Sequence, residues 1–461
     1  MNMLGTYTYK TDDLKIFSKL SGDYNPLHID DLKSRRYLFG QIVMHGIHII
    51  LKALDLYIKE KEKLTKISVS FLLPVYINDT IEFKLHSLGN DKIIKVKKDD
   101  KIIAVLRFTT EVVEKTKCSF TKVPNQNKVP KLINSEQILS QEGSLPLYLN
   151  ENLVKLIFPN LYDFFHLGQL SSLLCSTRLV GMYCPGSNSI YSGFDMDYIS
   201  SKSDHFNYKV EKFKEKFGLV KIYVKGHSIE GEIDAFIRPV PIKQKSYKEI
   251  ISKYKQSINF DIKKALVVGA SRGVGEVCAK LLAANNIEVV LSYKNGHDEL
   301  NNIVKEINNN GGKASIIHID VLSKIIDLSF LKKIDGLFYF ASPPIFVSNK
   351  GEYSPALFEH FNTFYVKGFL NVFNALKINY LKTVFIPSTI AIDEKPLFMG
   401  EYVSSKLAAE GLSGFLEKKY KKILFMVPRL PRLATDQTVS LLPVKNLDPI
   451  DYLSDYFQKN L

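Results

Sequence analysis

The chain has 461 residues, 45% of them hydrophobic and 24% charged, with four cysteines and a formal net charge of +14. The length suggests about three domains at ordinary domain size, and the composition is that of a soluble globular chain with ample core. No run of 18 apolar residues exists and MNMLGTYTYK has no apolar h-region, so neither a membrane span nor a signal peptide is expected.

The cysteines (Cys118, Cys175, Cys184, Cys278) lie far apart with no C-x-x-C, which points to reduced thiols, a cytoplasmic setting and no metal site. The basic residues are dispersed, mostly lysine, and accompany abundant Asn, Ile and Tyr, as in an AT-rich coding sequence. No nucleic-acid-binding motif stands with them. A basic surface would still attract a phosphate-rich thioester or an acidic carrier protein.

In chain order, the first informative stretch is FSKLSGDYNPLHIDDLKS, residues 17–34. Gly22 permits a sharp turn and Pro26 fixes φ and blocks helix, so Asp23 and His28 share one short irregular segment. A tethered carboxylate and imidazole can hold one water between them and return a proton, which is general acid–base work.

This segment resembles the signature of the R-specific enoyl-CoA hydratases, the MaoC-like or hydratase 2 family, through Phe17, Leu20, Ser21, Gly22, Asp23, Asn25, Pro26, Leu27, His28 and Ser34. FGQIVMHGIHI (Phe39–Ile49) and SFLLPVYINDTI (Ser70–Ile81) continue it, with Asn78 where the family prefers glycine; Asn tolerates positive φ. The resemblance spans roughly residues 5–115. It implies a hot-dog fold, a long helix wrapped by an antiparallel sheet, that binds acyl thioesters. It further implies that Asp23 and His28 hold the water, Asn25 orients the water or its partners, and a backbone N–H near Gly46 polarises the thioester oxygen.

Lys122–Lys131 reads as a linker. Residues 150–178 then give a helix-spaced apolar stretch, followed by strand-like runs at Tyr191–Ile199, Phe206–Phe213, Leu219–Gly226 and Glu230–Arg238. Helix then strands is the hot-dog order again, without D-x-N-P-x-H. Leu179–Gly193 resembles second repeats of double hot-dog hydratases. His166 and His205 have no partner at useful spacing and are read as structural or surface residues. The second copy is expected to shape the acyl channel.

The Lys-rich stretch 241–260 reads as an interdomain helix or tether. KKALVVGASRGVGEV follows, an apolar strand feeding Gly269-x3-Gly273-x-Gly275 and an amphipathic helix, where backbone N–H groups can meet a pyrophosphate. Much later, EYVSSKLAAEGL sets Tyr402 and Lys406 one turn apart on a helix, where an ammonium lowers a phenol's pKa.

Together these resemble the short-chain dehydrogenase/reductase family over residues 262–461. The resemblance implies a doubly wound Rossmann sheet, Tyr402 and Lys406 as the catalytic pair, and a carbonyl-binding hydroxyl at Thr389 or Ser388. It implies dinucleotide contacts from Gly269, Ser271, Arg272, Gly273, Val274, Gly275, Lys294, Asp320, Val321 and Ala341. No acid ends the second strand (LSYKN), while Arg272 and Lys294 could face a 2′-phosphate, so NADP(H) is favoured. Three departures stand out: Tyr339–Ser342 for the family's N-N-A-G, Tyr365 for its helical asparagine, and a chain that stops at NLDPIDYLSDYFQKNL, where a last strand is expected next.

The expected architecture is an α+β double hot-dog (1–121 with the motif, 132–240 without), a linker (241–260) and an α/β Rossmann domain with a doubly wound parallel sheet (261–461). The expected function is bifunctional: (R)-specific 2-enoyl-thioester hydration, plus NADP-dependent interconversion of 3-oxoacyl and (R)-3-hydroxyacyl groups. The expected partners are an acyl-CoA or acyl-carrier-protein thioester and a second copy in a dimer, with no nucleic acid and no membrane span. Two rival readings are a hydratase with a degenerate reductase-like domain and a non-catalytic acyl-carrier-binding scaffold.

Overall fold

In the first unit the strand-forming runs assemble into one ten-stranded antiparallel sheet around two central helices. The computed structural model describes residues 2–114, 120, 127–331, 333–346, 352–440 and 444–461, in two units, Met1–Val240 and Pro241–Leu461. Cys118 and residues 122–126 of the 122–131 linker fall outside the described residues.

The first repeat runs β1 (Asn2–Thr8), α1 (Thr11–Ser21), α2 (Pro26–Ile29), α3 (Asp31–Ser34), α4 (Gly46–Tyr57), β2 (Glu62–Phe71), β3 (Thr80–Leu88), β4 (Asp91–Lys98) and β5 (Lys101–Val112). The second runs β6 (Glu142–Pro146), α5 (Glu151–Ile157), α6 (Pro159–Phe164), α7 (Leu167–Arg178), β7 (Ser189–Tyr198), β8 (His205–Lys214), β9 (Leu219–Lys225) and β10 (Ile229–Ile237). Strand order in the first is β1-β3-β4-β5-β2 and in the second β6-β8-β9-β10-β7, the same order twice. β2 pairs antiparallel with β7, Val69 opposite Phe194, and fuses the two into one sheet. The second hot-dog is thereby present.

The helical stretch expected over 150–178 is three helices, because Pro159 opens α6 and His166 caps α7, its Nδ1 accepting the Gln169 N–H at 3.3 Å. His205 lies exposed beside Asp204. Asn78 adopts φ 68°, the left-handed turn expected of it.

α4 is apolar on nearly every face because the sheet wraps it; Ile47, Ile50, Leu51 and Leu54 are fully buried, each worth about 1.5–3 kcal/mol. Polar residues join the repeats inside this core. Asp55 of α4 accepts the N–H groups of Asn160 and Leu161 at the start of α6 (2.9 and 3.1 Å). Gln169 of α7 brackets Leu64 of β2, accepting its N–H at 2.9 Å and donating to its carbonyl at 2.8 Å.

The second unit contains α8 (Tyr247–Tyr254), β11 (Lys264–Val268), α9 (Gly273–Ala284), β12 (Glu288–Tyr293), α10 (His297–Asn309), β13 (Ala314–His318) and β14 (Gly336–Tyr339). There follow α11 (Pro355–Asn362), α12 (Phe369–Ala375), β15 (Thr383–Phe385), β16 (Ser388–Thr389), α13 (Ala391–Glu394), α14 (Gly400–Lys419), β17 (Leu424–Met426), β18 (Arg429–Leu430) and α15 (Pro449–Asn460). Six strands form a parallel sheet in the order β13-β12-β11-β14-β15-β17, doubly wound, with its direction of winding reversing between β11 and β14. Ligands of such sheets sit beyond the strand ends at that reversal.

The stretch 241–260 is not a tether. Tyr247, Ile250 and Tyr254 of α8 are buried in the second unit's own core, because the Lys-rich composition sits on the opposite face of an amphipathic helix. Cys175, Cys184 and Cys278 are free and buried. Among the described residues no helix is long and apolar enough to cross a membrane.

Candidate functional sites

The first site is built where α1 ends. Gly22, at φ 79°, closes α1 by donating its N–H to Ser18 O (2.9 Å) and turns the chain so that Asp23 enters the interior, 1% exposed. Pro26 does not block helix as expected; it opens α2 from the first position, where a missing N–H costs nothing. Asn25 caps that helix through its side-chain oxygen (Leu27 N–H, 3.0 Å) and spends its amide on Gly181 O and Gly186 O of the second repeat (2.9 and 3.2 Å). Its side chain holds the loop and the repeat contact, and its backbone N–H donates to the Asp23 carboxylate.

His28 sits on α2 with Nδ1 2.6 Å from Val43 O. A carbonyl only accepts, so Nδ1 carries the proton and Nε2 keeps its lone pair. The Asp23 carboxylate accepts from Thr177 Oγ1 at 2.7 Å and from Asn25 N–H at 3.1 Å. His45, just before α4, stacks on His28 with centroids 3.8 Å apart, and its Nε2 lies 3.2 Å from Asp23 O. Gly181 stands so close to Asp23 that a Cβ there would overlap the carboxylate. Gly46 begins α4, and the Phe71 ring occupies the space where its Cβ would point, 2.7 Å away. The first-turn N–H groups of α4 have no partner within the helix.

One polar atom each of Asp23, His28 and His45 fall within 4.8 Å of one another. That spacing could suit a cation, but Thr177 and Asn25 engage the carboxylate, and His45 Nε2 and His28 Nδ1 are bound to carbonyls. His28 Nε2 keeps its lone pair, which suits a water, and His45 Nδ1 is buried without a partner. Burial pushes the Asp23 carboxyl up, partly offset by His28 and Thr177; burial pushes the His28 imidazole down, partly offset by Asp23. Burial thus moves the two proton affinities toward one another, in the sense that suits an acid–base pair.

Sequence reasoning missed His45, Thr177 and Gly181. His45 had a signal, standing directly before Gly46 in the matched stretch. Thr177 and Gly181 had none, because their repeat carries no motif.

The second site is a cleft of about 510 Å³ at the β11/β14 reversal. Gly269 (φ 78°) and Gly273 (φ 60°) form its loop; a Cβ on Gly269 would sit 2.8 Å from Ala341 N, and one on Gly275 would overlap Gly269 O. This bare-backbone cradle at the start of α9 fits a dinucleotide's phosphates. Arg272, Val274 and Ala341 line the cleft; Ser271, Lys294, Asp320 and Val321 are not in its lining. Lys294 instead pairs with Asp320 at 2.9 Å.

Tyr402 and Lys406 both reach the cleft from α14. Thr389, not Ser388, hydrogen-bonds the Tyr402 hydroxyl. The Tyr402 phenol is not lowered by Lys406 as expected: burial pushes it up to about 12. The reason is placement. Lys406 Nζ donates to Pro387 O (2.8 Å) and lies 3.9 Å over the Tyr365 ring, but 5.9 Å from the Tyr402 ring. Burial also lowers Lys406 to about 7. Tyr365 OH and Ser342 Oγ are 2.6 Å apart.

Residues 4–112 match the family model described as a MaoC like domain, and residues 263–430 match that of the short chain dehydrogenases. The chain therefore carries a MaoC-like domain in its first unit and a short-chain dehydrogenase domain in its second. Among curated proteins it is 42% identical over 57 residues to the 3-oxoacyl-[acyl-carrier-protein] reductase of Synechocystis, covering 12% of this chain and 23% of that one. It is 34% identical over 91 residues to elsinochrome reductase 1 of Elsinoe fawcettii, covering 20% and 33%. The chain thus spans a third or less of the length of these two relatives. Solved structures similar to it include an alcohol dehydrogenase of Thermococcus sibiricus complexed with 5-hydroxy-NADP (22% identity, TM-score 0.38, 43% of this chain and 90% of that one). Another is a short chain dehydrogenase of Shigella flexneri (21%, TM-score 0.39, 44% and 86%).

Proposed function

We propose that the chain is a bifunctional acyl-thioester enzyme, an (R)-specific 2-enoyl hydratase or 3-hydroxyacyl dehydratase joined to an NADP(H)-dependent 3-oxoacyl reductase. The observation that carries this is that the Asp23 carboxylate and the His28 imidazole, whose Nδ1 is spent on Val43 O, come together in one small volume. In hydration, His28 Nε2 and Asp23 hold the water; one takes its proton as oxygen adds to the β-carbon, and the other delivers a proton to the α-carbon. The first-turn N–H groups of α4 at Gly46 face the charge that develops on the thioester oxygen.

In the second unit the glycine cradle and Arg272 would hold NADP(H), which supplies hydride when bound. Tyr402, protonated at neutral pH, donates its proton to the substrate carbonyl oxygen, and Thr389 fixes that hydroxyl. The (R)-3-hydroxyacyl thioester is product of one half-reaction and substrate of the other.

A second reading, a hydratase with an inactive reductase-like domain, is favoured by one feature: the Tyr365 ring covers Lys406. Absorbance on crotonyl-CoA without nucleotide, then on acetoacetyl-CoA with NADPH, separates the two. Asp23→Ala and His28→Ala should each lower hydration by about 10² or more with the fold intact. Near-full hydration in either variant removes the assignment.

A further inference from the structure

Arg238 follows the end of β10 and is 1% exposed. Its Nη2 donates to Ser187 O at 2.5 Å, and its guanidinium lies 3.5 Å over the Tyr37 ring. Ser187 O also accepts from the Asn25 amide at 3.4 Å, so Arg238 stands one carbonyl away from the loop that carries Asp23 and His28. Its charge reaches His28 and contributes to the lowering there.

Beyond its bonds to Ser187 O and the Tyr37 side chain, two of the three guanidinium nitrogens are unspent. Nε and Nη1 are buried with no hydrogen-bond acceptor, and among the described residues Arg238 makes no ion pair. Asp23 does not neutralise it, being engaged by Thr177 and Asn25. A guanidinium does not give up its proton, so this is a lone buried cation, an arrangement that is costly unless an anion completes it. Tyr37 covers one face of the group and hydrogen-bonds it, which leaves the in-plane donors of Nε and Nη1 for that anion.

We propose that Arg238 is a carboxylate-binding subsite of the hydratase centre, so that the preferred substrate is the 2-enoyl or 3-hydroxyacyl thioester of a dicarboxylic acid. This rests on the hydratase reading of Asp23 and His28. The anion belongs to the acyl group because the pantetheine arm keeps every phosphate of a coenzyme A or carrier-protein thioester far from the carbons that His28 serves. A guanidinium and a carboxylate also match in planar geometry.

Calorimetry with the full chain and two saturated, unreactive thioesters tests this. Succinyl-CoA should bind about tenfold or more tightly than butyryl-CoA, the preference should vanish in Arg238→Met, and Arg238→Lys should keep part of it. The change between wild type and variant reads this subsite alone, whatever the second unit binds. Equal binding by the wild type, or a preference that survives Arg238→Met, overturns the proposal. Should Arg238→Met fail to fold by circular dichroism, Arg238→Gln, which can still donate to Ser187, carries the same comparison. Turnover of crotonyl-CoA and glutaconyl-CoA separates the two ideas. Hydration of both without a carboxylate preference in binding overturns the subsite alone; the preference without hydration of either overturns the hydratase reading alone.

Discussion

Thr177 on α7 donates its hydroxyl to Oδ2 of Asp23 across 154 positions of sequence, at 2.7 Å. The motif-bearing repeat supplies the carboxylate, and a hydroxyl of the motif-less repeat offsets part of the rise that burial imposes on it. A hydrogen bond to the ionised form holds a carboxyl down. Thr177→Val should therefore raise Asp23 further, lower hydration at neutral pH by about tenfold and move the acidic limb of the rate profile to higher pH; Thr177→Ser should restore it. An unshifted limb in Thr177→Val would mean the bond does not govern Asp23.

Gly181 gives a sharper test of the same approach. Any Cβ there overlaps the Asp23 carboxylate, while the backbone around it needs no unusual φ. Gly181→Ala should cost hydration about 10² or more with a melting temperature near wild type, since the carboxylate is displaced rather than the core. Unchanged turnover in Gly181→Ala would refute the contact.

His48 links stability to pH. It stacks on Phe17 (4.6 Å, 5°), its Nδ1 has no partner, and burial lowers it to about 3. Between that value and its unfolded value near 6.5 the unfolded chain binds the extra proton. Its contribution is complete above pH 6.5 and is lost as pH falls toward 3, at about 1.4 kcal/mol per unit. Urea melts from pH 7 to 4.5 should show His48→Phe losing stability less steeply than wild type. His28 and His45 titrate in both proteins, so the difference isolates His48; parallel slopes count against it.

For the second unit, Tyr402→Phe should abolish NADPH-dependent reduction of a 3-oxoacyl thioester and leave hydration intact. Tyr365→Leu removes the ring beneath Lys406. The ammonium then loses a cation–π contact worth about 1–2 kcal/mol in a desolvated site, and NADPH affinity by calorimetry should shift severalfold. Tyr402→Phe matching wild type in a stopped-flow assay would show that no second reaction occurs.

The closeness of Asp23 and His28 was legible in the sequence, because the Gly22 turn and a five-residue spacing are short-range geometry; the helix that Pro26 opens was not. The sequence held no sign of the Asn25 side chain's partners, Gly181 and Gly186, which lie a whole repeat away. It expected Lys406 to tune Tyr402 because the i, i+4 relation is local; which ring the ammonium settles on depends on Tyr365, brought in by another element. Lys-rich composition suggested a tether at 241–260, whereas three buried positions on one face of α8 made it part of a core. Thr177 and Arg238 carried no local pattern, and only the three-dimensional arrangement reveals them.

The β2–β7 ladder has a consequence for stoichiometry. Two hot-dogs that associate as identical copies must present the same loop twice, and every substitution is mirrored across the axis. Covalent linkage lifts that constraint. One copy keeps the Asp23–His28 loop; the other is free to trade its own loop for the Thr177 hydroxyl and Gly181 that meet the Asp23 carboxylate. On the proposed function, the chain surrenders one potential site and gains a wall whose chemistry can change without touching Asp23 or His28.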